Sequence, residues 1–154
     1  MRQNESQNGN KSQMQQYLSQ LSDLQERLET AQSIAQQIND LVGSPPSILD
    51  DSMRGRNSKG TDAPFVQELE QAEEIMEWVR KKSMELTSLK AQIHDVICTV
   101  LNLLERETLR YRYIDGKSWQ DIANEFNVSK ATVYRWHRNA LQHAVLPQDA
   151  IWIS

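Results

Sequence analysis

The first half of the chain carries apolar residues at alternating spacings of three and four positions, which is the pattern of one face of a helix. The intervening positions are mostly Gln, Ser, Glu and Asp. Because an isolated helix of about 30 residues with such a stripe is not stable in water, it must pack on another helix. The stripe comprises Met14, Tyr17, Leu21, Leu24, Leu28, Ala31, Ala35, Ile38 and Val42.

A second long helix is predicted from Pro64 or Phe65 to Leu104, since Pro is favoured in a first helical turn and apolar residues recur on one face. Its main seam is Leu69, Ala72, Met76, Val79, Leu86, Ile93, Ile97, Val100 and Leu104, and it is widened by Ile75, Leu89, Val96 and Leu103.

The two helices predict a long, coiled-coil-like, antiparallel hairpin across residues 13–104 that also pairs with a second subunit. A closed monomeric hairpin is the alternative. The residues assigned to the contact between subunits are Leu21, Leu24, Leu28 and Ile38.

Composition marks the segments that flank these helices. Residues 43–63 hold most of the Gly and Pro and predict a loop, whose cations could contact DNA or remain solvated. Residues 1–12 are rich in Gln, Asn and Ser and predict disorder. The tail, residues 144–154, is apolar near its end, so we expect it to dock on the helical core; contact with a partner such as RNA polymerase is the alternative.

Residues 119–138 place small, turn and apolar side chains where two short crossing helices need them. Counting from Trp119, Ala123 is fifth, where the second helix passes closest, and Asn127 is ninth, where the chain must turn with a positive φ. Ser118 and Ser129 are suited to cap the helices. The pattern predicts a helix-turn-helix with a core of Ile122, Ala123, Phe126, Asn127, Val128, Val133 and Trp136. We expect it to belong to a DNA-binding domain of residues 105–143, which follows the hairpin.

The second of these helices carries side chains suited to a DNA groove. Arg135 is the leading candidate to read a base, because Arg can pair two donors with guanine. Lys130, Arg138 and the flanking Lys117 are expected to contact phosphates. Solvated surface charge is the alternative interpretation. The complete predicted DNA-binding set is Lys117, Ser129, Lys130, Ala131, Tyr134, Arg135 and Arg138.

The segment 103–141 resembles region 4 of bacterial sigma factors, which reads promoter DNA. The resemblance is carried by Glu105 and Glu107, Leu109 and Tyr113, the turn Asp115-Gly116-Lys117-Ser118, Ile122-Ala123, and Ser129 through Val133. Asn127 stands where the family usually has Gly, and nothing upstream resembles the sigma region that melts promoters. A complete sigma factor is therefore not expected.

Over most of its length the chain resembles the sigma-region-4-like regulators of phages and prophages, the group that includes RinA- and ArpU-type late-gene activators. The strings GKSWQDIA and TVYRWHRNAL and the order of segments carry this resemblance. It implies a phage or prophage transcription regulator that activates late genes as an oligomer. Its partners would be double-stranded DNA and, as a second candidate, the host RNA polymerase.

Composition agrees with an all-α protein of the bacterial cytoplasm. The chain has 154 residues, 25% of them charged, and no run long and apolar enough for a membrane helix. Cys98 is the only cysteine and lies in an apolar run, which predicts a core position. Neither a metal site, a cofactor nor a catalytic set is recognisable, so an enzyme is not expected.

Charge is distributed unevenly. The chain has a net charge of −4, yet residues 105–143 carry seven Lys or Arg and five Asp or Glu. A single weakly basic module should bind DNA weakly and with strong salt dependence, which favours an oligomer. Two alternatives remain: a small DNA-packaging (terminase) subunit of a phage, and an interaction protein that binds RNA polymerase without reading DNA.

Overall fold

The computed structural model describes residues 11–43 and 62–154, with the side chains of 11–42 and 66–154. All regular elements in these ranges are helical, which confirms the predicted all-α class. The predicted disordered start and the predicted loop 43–63 lie almost entirely outside the described residues. The helices are α1 Gln13–Gly43, α2 Asp62–Cys98, α3 Leu103–Leu109 with a π-helical turn Arg110–Ile114 directly after it, α4 Trp119–Phe126 and α5 Lys130–His143.

The second long helix ends six residues earlier than the sequence pattern predicted. The Thr99 hydroxyl donates a hydrogen bond to the Val96 carbonyl oxygen at 2.5 Å, which satisfies an acceptor at the end of α2. The Asn102 side chain then accepts from the Glu105 N–H at 3.1 Å and starts a new helix. The predicted extension to Leu104 was therefore wrong, because local capping outweighs the continuing apolar pattern.

The prediction that Cys98 is a core residue was also wrong, since its side chain is exposed. The buried positions at the end of α2 are Ile93, Val96, Ile97 and Val100. Cys98 lies off this face, and its sulfur is 3.9 Å from Nδ1 of His94 on the preceding turn. The seam predicted for this helix includes Ile93, Val96, Ile97 and Val100 but not Cys98, so the helical periodicity was the better guide.

The described chain divides into two compact units. Unit 1 contains the start of α1 up to Gln25 and all residues from Glu85 to Ser154. Unit 2 contains the described residues between Glu26 and Met84. The predicted domain boundary at residues 104 and 105 falls inside unit 1.

Unit 1 is built around one apolar cluster that draws on α1, α2, α3 and α5. Its buried members are Met14, Tyr17, Leu18, Leu21, Leu89, Ile93, Val96, Ile97, Val100, Leu109 and Ala140. The C-terminal tail packs against the same cluster through Leu146, Ala150, Ile151 and Ile153. The predicted docking of the tail on the helical core is confirmed.

Unit 2 has a thinner apolar core. Leu28 and Ala35 of α1 and Ala72 and Val79 of α2 are buried. Other predicted seam positions on α2 are open, since Leu69 and Met76 are 41% and 40% exposed.

The residues predicted to join two subunits are used within the chain instead. Leu21, Leu24 and Leu28 are at most 4% exposed, and Ile38 is half-buried. Side chains that are already buried have no apolar surface left for a second subunit. The prediction for these leucines was therefore wrong, because the two long helices of one chain satisfy each other's stripes.

We expect Leu21→Ala to lower the free energy of unfolding by about 2 to 5 kcal/mol, the usual loss for a fully buried leucine. The matched control is Leu41→Ala on the same helix, because Leu41 is 70% exposed; it should cost less than about 1 kcal/mol. Denaturant unfolding at several protein concentrations measures both. A Leu21→Ala loss that grows with dilution would contradict an intramolecular role.

Candidate functional site

The turn between α4 and α5 has the backbone that the sequence predicted. Asn127 adopts φ 54° and ψ 45°, and it is the one described residue other than glycine with a positive φ. The Val128 N–H donates to the Ala123 carbonyl oxygen at 3.0 Å and closes the end of α4. Asn tolerates this left-handed conformation better than other residues with a side chain, which accounts for its presence here.

Both helices of this pair begin with a serine cap, as predicted. The Ser118 hydroxyl accepts from the Asp121 N–H at 3.1 Å, and the Ser129 hydroxyl accepts from the Thr132 N–H at 3.2 Å. Each cap satisfies one of the free N–H groups of a first helical turn. The starts of α4 and α5 are therefore fixed by their own sequence.

A small apolar core holds α4 and α5 together. Ile122, Ala123 and Val133 are buried, and Phe126 and Val128 are half-buried against them. Trp136, also predicted to belong to this core, is only half-buried, and its ring meets the Phe126 ring edge-on at 5.4 Å between centroids. The core therefore consists of three enclosed side chains with an aromatic rim.

The outer face of α5 displays three exposed cations. Lys130, Arg135 and Arg138 are exposed, and no hydrogen bond or ion pair to them is found among residues 11–43 and 62–154. The helix contains no Asp or Glu. Ser129 and Ala131 are exposed beside them, and Tyr134 is 44% exposed. Six of the seven predicted DNA-binding residues thus lie at or along one exposed helix.

Lys117 differs from the other six. Its Nζ is 3.5 Å from Oε2 of Glu125 and lies 4.4 Å from the centroid of the Tyr111 ring. Its charge is therefore partly satisfied within the molecule, whereas the α5 cations are open to a polyanion.

The turn before α4 contains the predicted Gly116 and is held by Arg112, which the sequence analysis did not single out. Gly116 has φ 68°, and Arg112 donates from Nη1 to the Lys117 carbonyl oxygen at 3.0 Å. The Arg112 guanidinium also lies 4.5 Å from the centroid of the Trp119 ring. Arg112 thus links the π-helical turn to the residues on either side of the Ser118 cap.

His137 is a buried histidine on the inner face of α5, and sequence reasoning missed its role. It lies four residues after Val133 and three before Ala140, both buried, which is the spacing that could have revealed it. Its Nε2 is 2.7 Å from the Tyr113 hydroxyl, and the Trp119 ring meets it edge-on at 4.7 Å. Burial, with a smaller contribution from Arg112, lowers the pKa of His137 to about 4.

Burial also raises the pKa of Tyr113 to about 12. The tyrosine therefore keeps its proton at neutral pH, and its hydroxyl donates a hydrogen bond to the neutral imidazole. This hydrogen bond ties the inner face of α5 to the π-helical turn.

A second polar link lies at the far end of α5. Nδ1 of His143 is 2.7 Å from Oε2 of Glu105, whose side chain is only 8% exposed. Glu105 is in the first turn of α3, so the pair joins the last turn of α5 to the first turn of α3. The two residues are 38 positions apart in the sequence, so no local spacing pattern predicted this contact.

The stability of unit 1 should fall as pH drops through the range set by His137. Below pH 6.5 the unfolded chain binds a proton at this imidazole, whereas the folded chain does so only near pH 4, where its pKa lies. Protons therefore favour unfolding, and the free energy of unfolding should fall by about 3 kcal/mol across this range before levelling off.

Denaturant unfolding at closely spaced pH values measures this loss. His137→Gln, which keeps an acceptor for Tyr113 and does not titrate, is the control that should flatten the profile between pH 6.5 and 4. An unchanged slope in this variant would assign the pH dependence to other groups.

Comparison with known proteins adds a family for this arrangement. Residues 41–144 match the model of the family described as Protein of unknown function (DUF1492). The match covers α2 through α5 and stops before the docked tail. No curated protein and no solved structure matches the chain. Within the described residues no helix is both long and apolar enough to cross a membrane. Because the match spans more than half of the chain, the protein belongs to the DUF1492 family.

Proposed function

We propose that this protein is a sequence-specific DNA-binding transcription regulator that uses α4 and α5 as a helix-turn-helix with α5 as the recognition helix. The observation that carries the proposal is the exposed, unpartnered cationic face of Lys130, Arg135 and Arg138 on a helix without acidic residues. An unpaired cation on a rigid helix can neutralise a phosphate or pair with a base edge without first losing an internal partner.

Two further features support this role over ordinary surface charge. Two cations close to α4 are engaged instead: Arg110 is paired with Glu107, and Lys117 with Glu125. The left-handed turn at Asn127 and the small Ala123 are the residues by which a helix-turn-helix is recognised. The resemblance to sigma region 4 and to phage late-gene activators suggests the promoter context and an activating role.

RNA-polymerase binding is a second candidate, and one surface favours it. At the junction of α2 and α3, Leu101, Leu103 and Leu104 are 91%, 59% and 41% exposed. Three exposed leucines within four residues are costly to leave in water and are typical of a protein contact. This surface is separate in sequence from α5, so a regulator could use both.

The test is selection of genomic fragments by the purified protein, followed by affinity measurements on the enriched site and on a scrambled site. We expect Arg135→Ala to cost about 1 to 3 kcal/mol on the enriched site and much less on the scrambled one, because a lost base contact removes discrimination. Arg138→Ala should weaken both sites equally and reduce the salt dependence by about one phosphate contact.

Arg80→Ala is the matched control, since Arg80 is an exposed cation of unit 2 that is paired with Glu77. It should leave binding unchanged on both sites. Equal losses of DNA affinity for Arg135→Ala, Arg138→Ala and Arg80→Ala would show that only the net charge of the protein matters, and would contradict a specific role for α5. Failure to enrich any fragment, with retained binding to polymerase that Leu101→Ser abolishes, would favour the second candidate.

A further inference from the structure

Two glutamine side chains hold the backbone of the C-terminal tail. Gln92 Oε1 accepts from the Ile151 N–H at 2.8 Å, and its Nε2 donates to the Asp149 carbonyl oxygen at 3.1 Å. Gln20 donates from Nε2 to the Ile151 carbonyl oxygen at 3.0 Å and accepts from the Ile153 N–H at 2.7 Å. Each amide thus binds one N–H and one C=O of an extended segment.

Side chains of the tail alternate between the protein and solvent. Ile151 and Ile153 pack on the apolar cluster of unit 1, while Trp152 between them is 47% exposed and meets the Tyr17 ring edge-on. Backbone hydrogen bonds combined with pockets for alternate side chains are the way proteins recognise extended peptides. Gln20, Gln92 and the apolar surface between them therefore form a groove for such a peptide, called here the glutamine groove.

Both glutamines are also held by hydrogen bonds to Tyr17, which does not belong to the tail. The Tyr17 hydroxyl donates to Gln92 Oε1 at 2.8 Å, and Gln20 Nε2 also reaches the Tyr17 carbonyl oxygen at 3.1 Å. Both amides are thereby oriented by α1 and α2. Burial, with smaller contributions from Asp149 and Asp95, raises the pKa of Tyr17 to about 12, so this hydroxyl remains a donor.

The tail itself is held less tightly than the surface beneath it. Tyr17, Leu18 and Ile93 are fully buried, whereas none of residues 144–154 is. A segment with half-exposed side chains and solvent-accessible hydrogen bonds opens at a lower free energy than the core on which it lies. The apolar surface beneath the tail would be costly to expose to water. When the tail leaves, binding of another apolar segment is therefore favoured over an empty groove.

We propose that the glutamine groove is a binding site for extended peptide segments with two β-branched aliphatic residues flanking one other residue, and that residues 149–153 occupy it as a displaceable internal ligand. The partner is a protein that presents such a segment. This site does not depend on DNA binding, because it uses α1, α2 and the tail and none of the α5 cations.

The test uses the full-length chain with Ile151→Asp and Ile153→Asp, which releases the tail, and a dye-labelled peptide of residues 147–154, PQDAIWIS. We expect saturable binding, at least about tenfold tighter than to the wild-type chain, where the internal tail competes. Adding Gln20→Ala and Gln92→Ala should abolish binding, and a peptide with Asp at both Ile positions should not bind. No binding by a tail-released chain that is folded by circular dichroism would overturn the proposal.

Hydrogen exchange in the wild-type chain provides a measurement that needs no substitution. Excess peptide should accelerate exchange of the Ile151 and Ile153 amides as the tail is displaced, with the Asp-containing peptide as control. Unchanged exchange at millimolar peptide would contradict displacement. If the wild-type chain is a dimer and the peptide converts it to a monomer, the occupant of the groove is the tail of a second copy of this chain. That result would contradict a separate partner protein.

Discussion

The left-handed turn at Asn127 is the constraint on which the candidate DNA-binding surface depends. It reverses the chain within three residues, so that Val133 of α5 can lie against Ala123 of α4. A larger side chain at Ala123 or a residue intolerant of positive φ at Asn127 would change the crossing of the two helices. Since α5 has its cations on the face opposite Val133 and Ala140, this crossing also decides which surface the cations present.

Polar links then attach α5 to the rest of unit 1 at its middle and at its C-terminal end. His137 bonds to Tyr113 on the π-helical turn, and His143 bonds to Glu105 at the start of α3. Apolar contacts tolerate sliding, whereas hydrogen bonds of 2.7 Å have a narrow geometry. The combination holds α5 in one rotation about its axis, which a side chain such as Arg135 would need if it is to meet one base edge as proposed.

Sequence reasoning succeeded where structure is local. The serine caps, the turn at Asn127 and the outward cations of α5 follow from residues within a few positions of one another, and each residue type has a steric or hydrogen-bonding cause. It failed where two explanations share one pattern: the stripe containing Leu21 fits a second subunit or a second helix of the same chain equally well. Sequence reasoning also extended α2 to Leu104, because the apolar periodicity does not show that Asn102 caps a new helix.

Contacts between distant residues left no signal at all. Gln20 and Gln92 are ordinary helical surface residues in the sequence. Their role arises because the fold brings Ile151 to both of them, although it is 131 positions from Gln20 and 59 positions from Gln92 along the chain. The same applies to Glu105 and His143. Amide and imidazole groups bind many partners, so their types alone do not specify one.

The arrangement of charge bears on how the protein would bind DNA. Three free cations on one short helix neutralise few phosphates, and each contributes a counterion-release slope of about 0.9, so a single copy would lose most of its affinity at physiological salt. The leucines expected to supply a second copy are buried within the chain. Among the described residues, the exposed leucines at the α2 to α3 junction are one surface still open to an assembly on DNA. The affinity of one copy for DNA and its contact with a second protein would thus be coupled. The weaker the electrostatic contact of one copy with DNA, the more its residence there would depend on a protein partner.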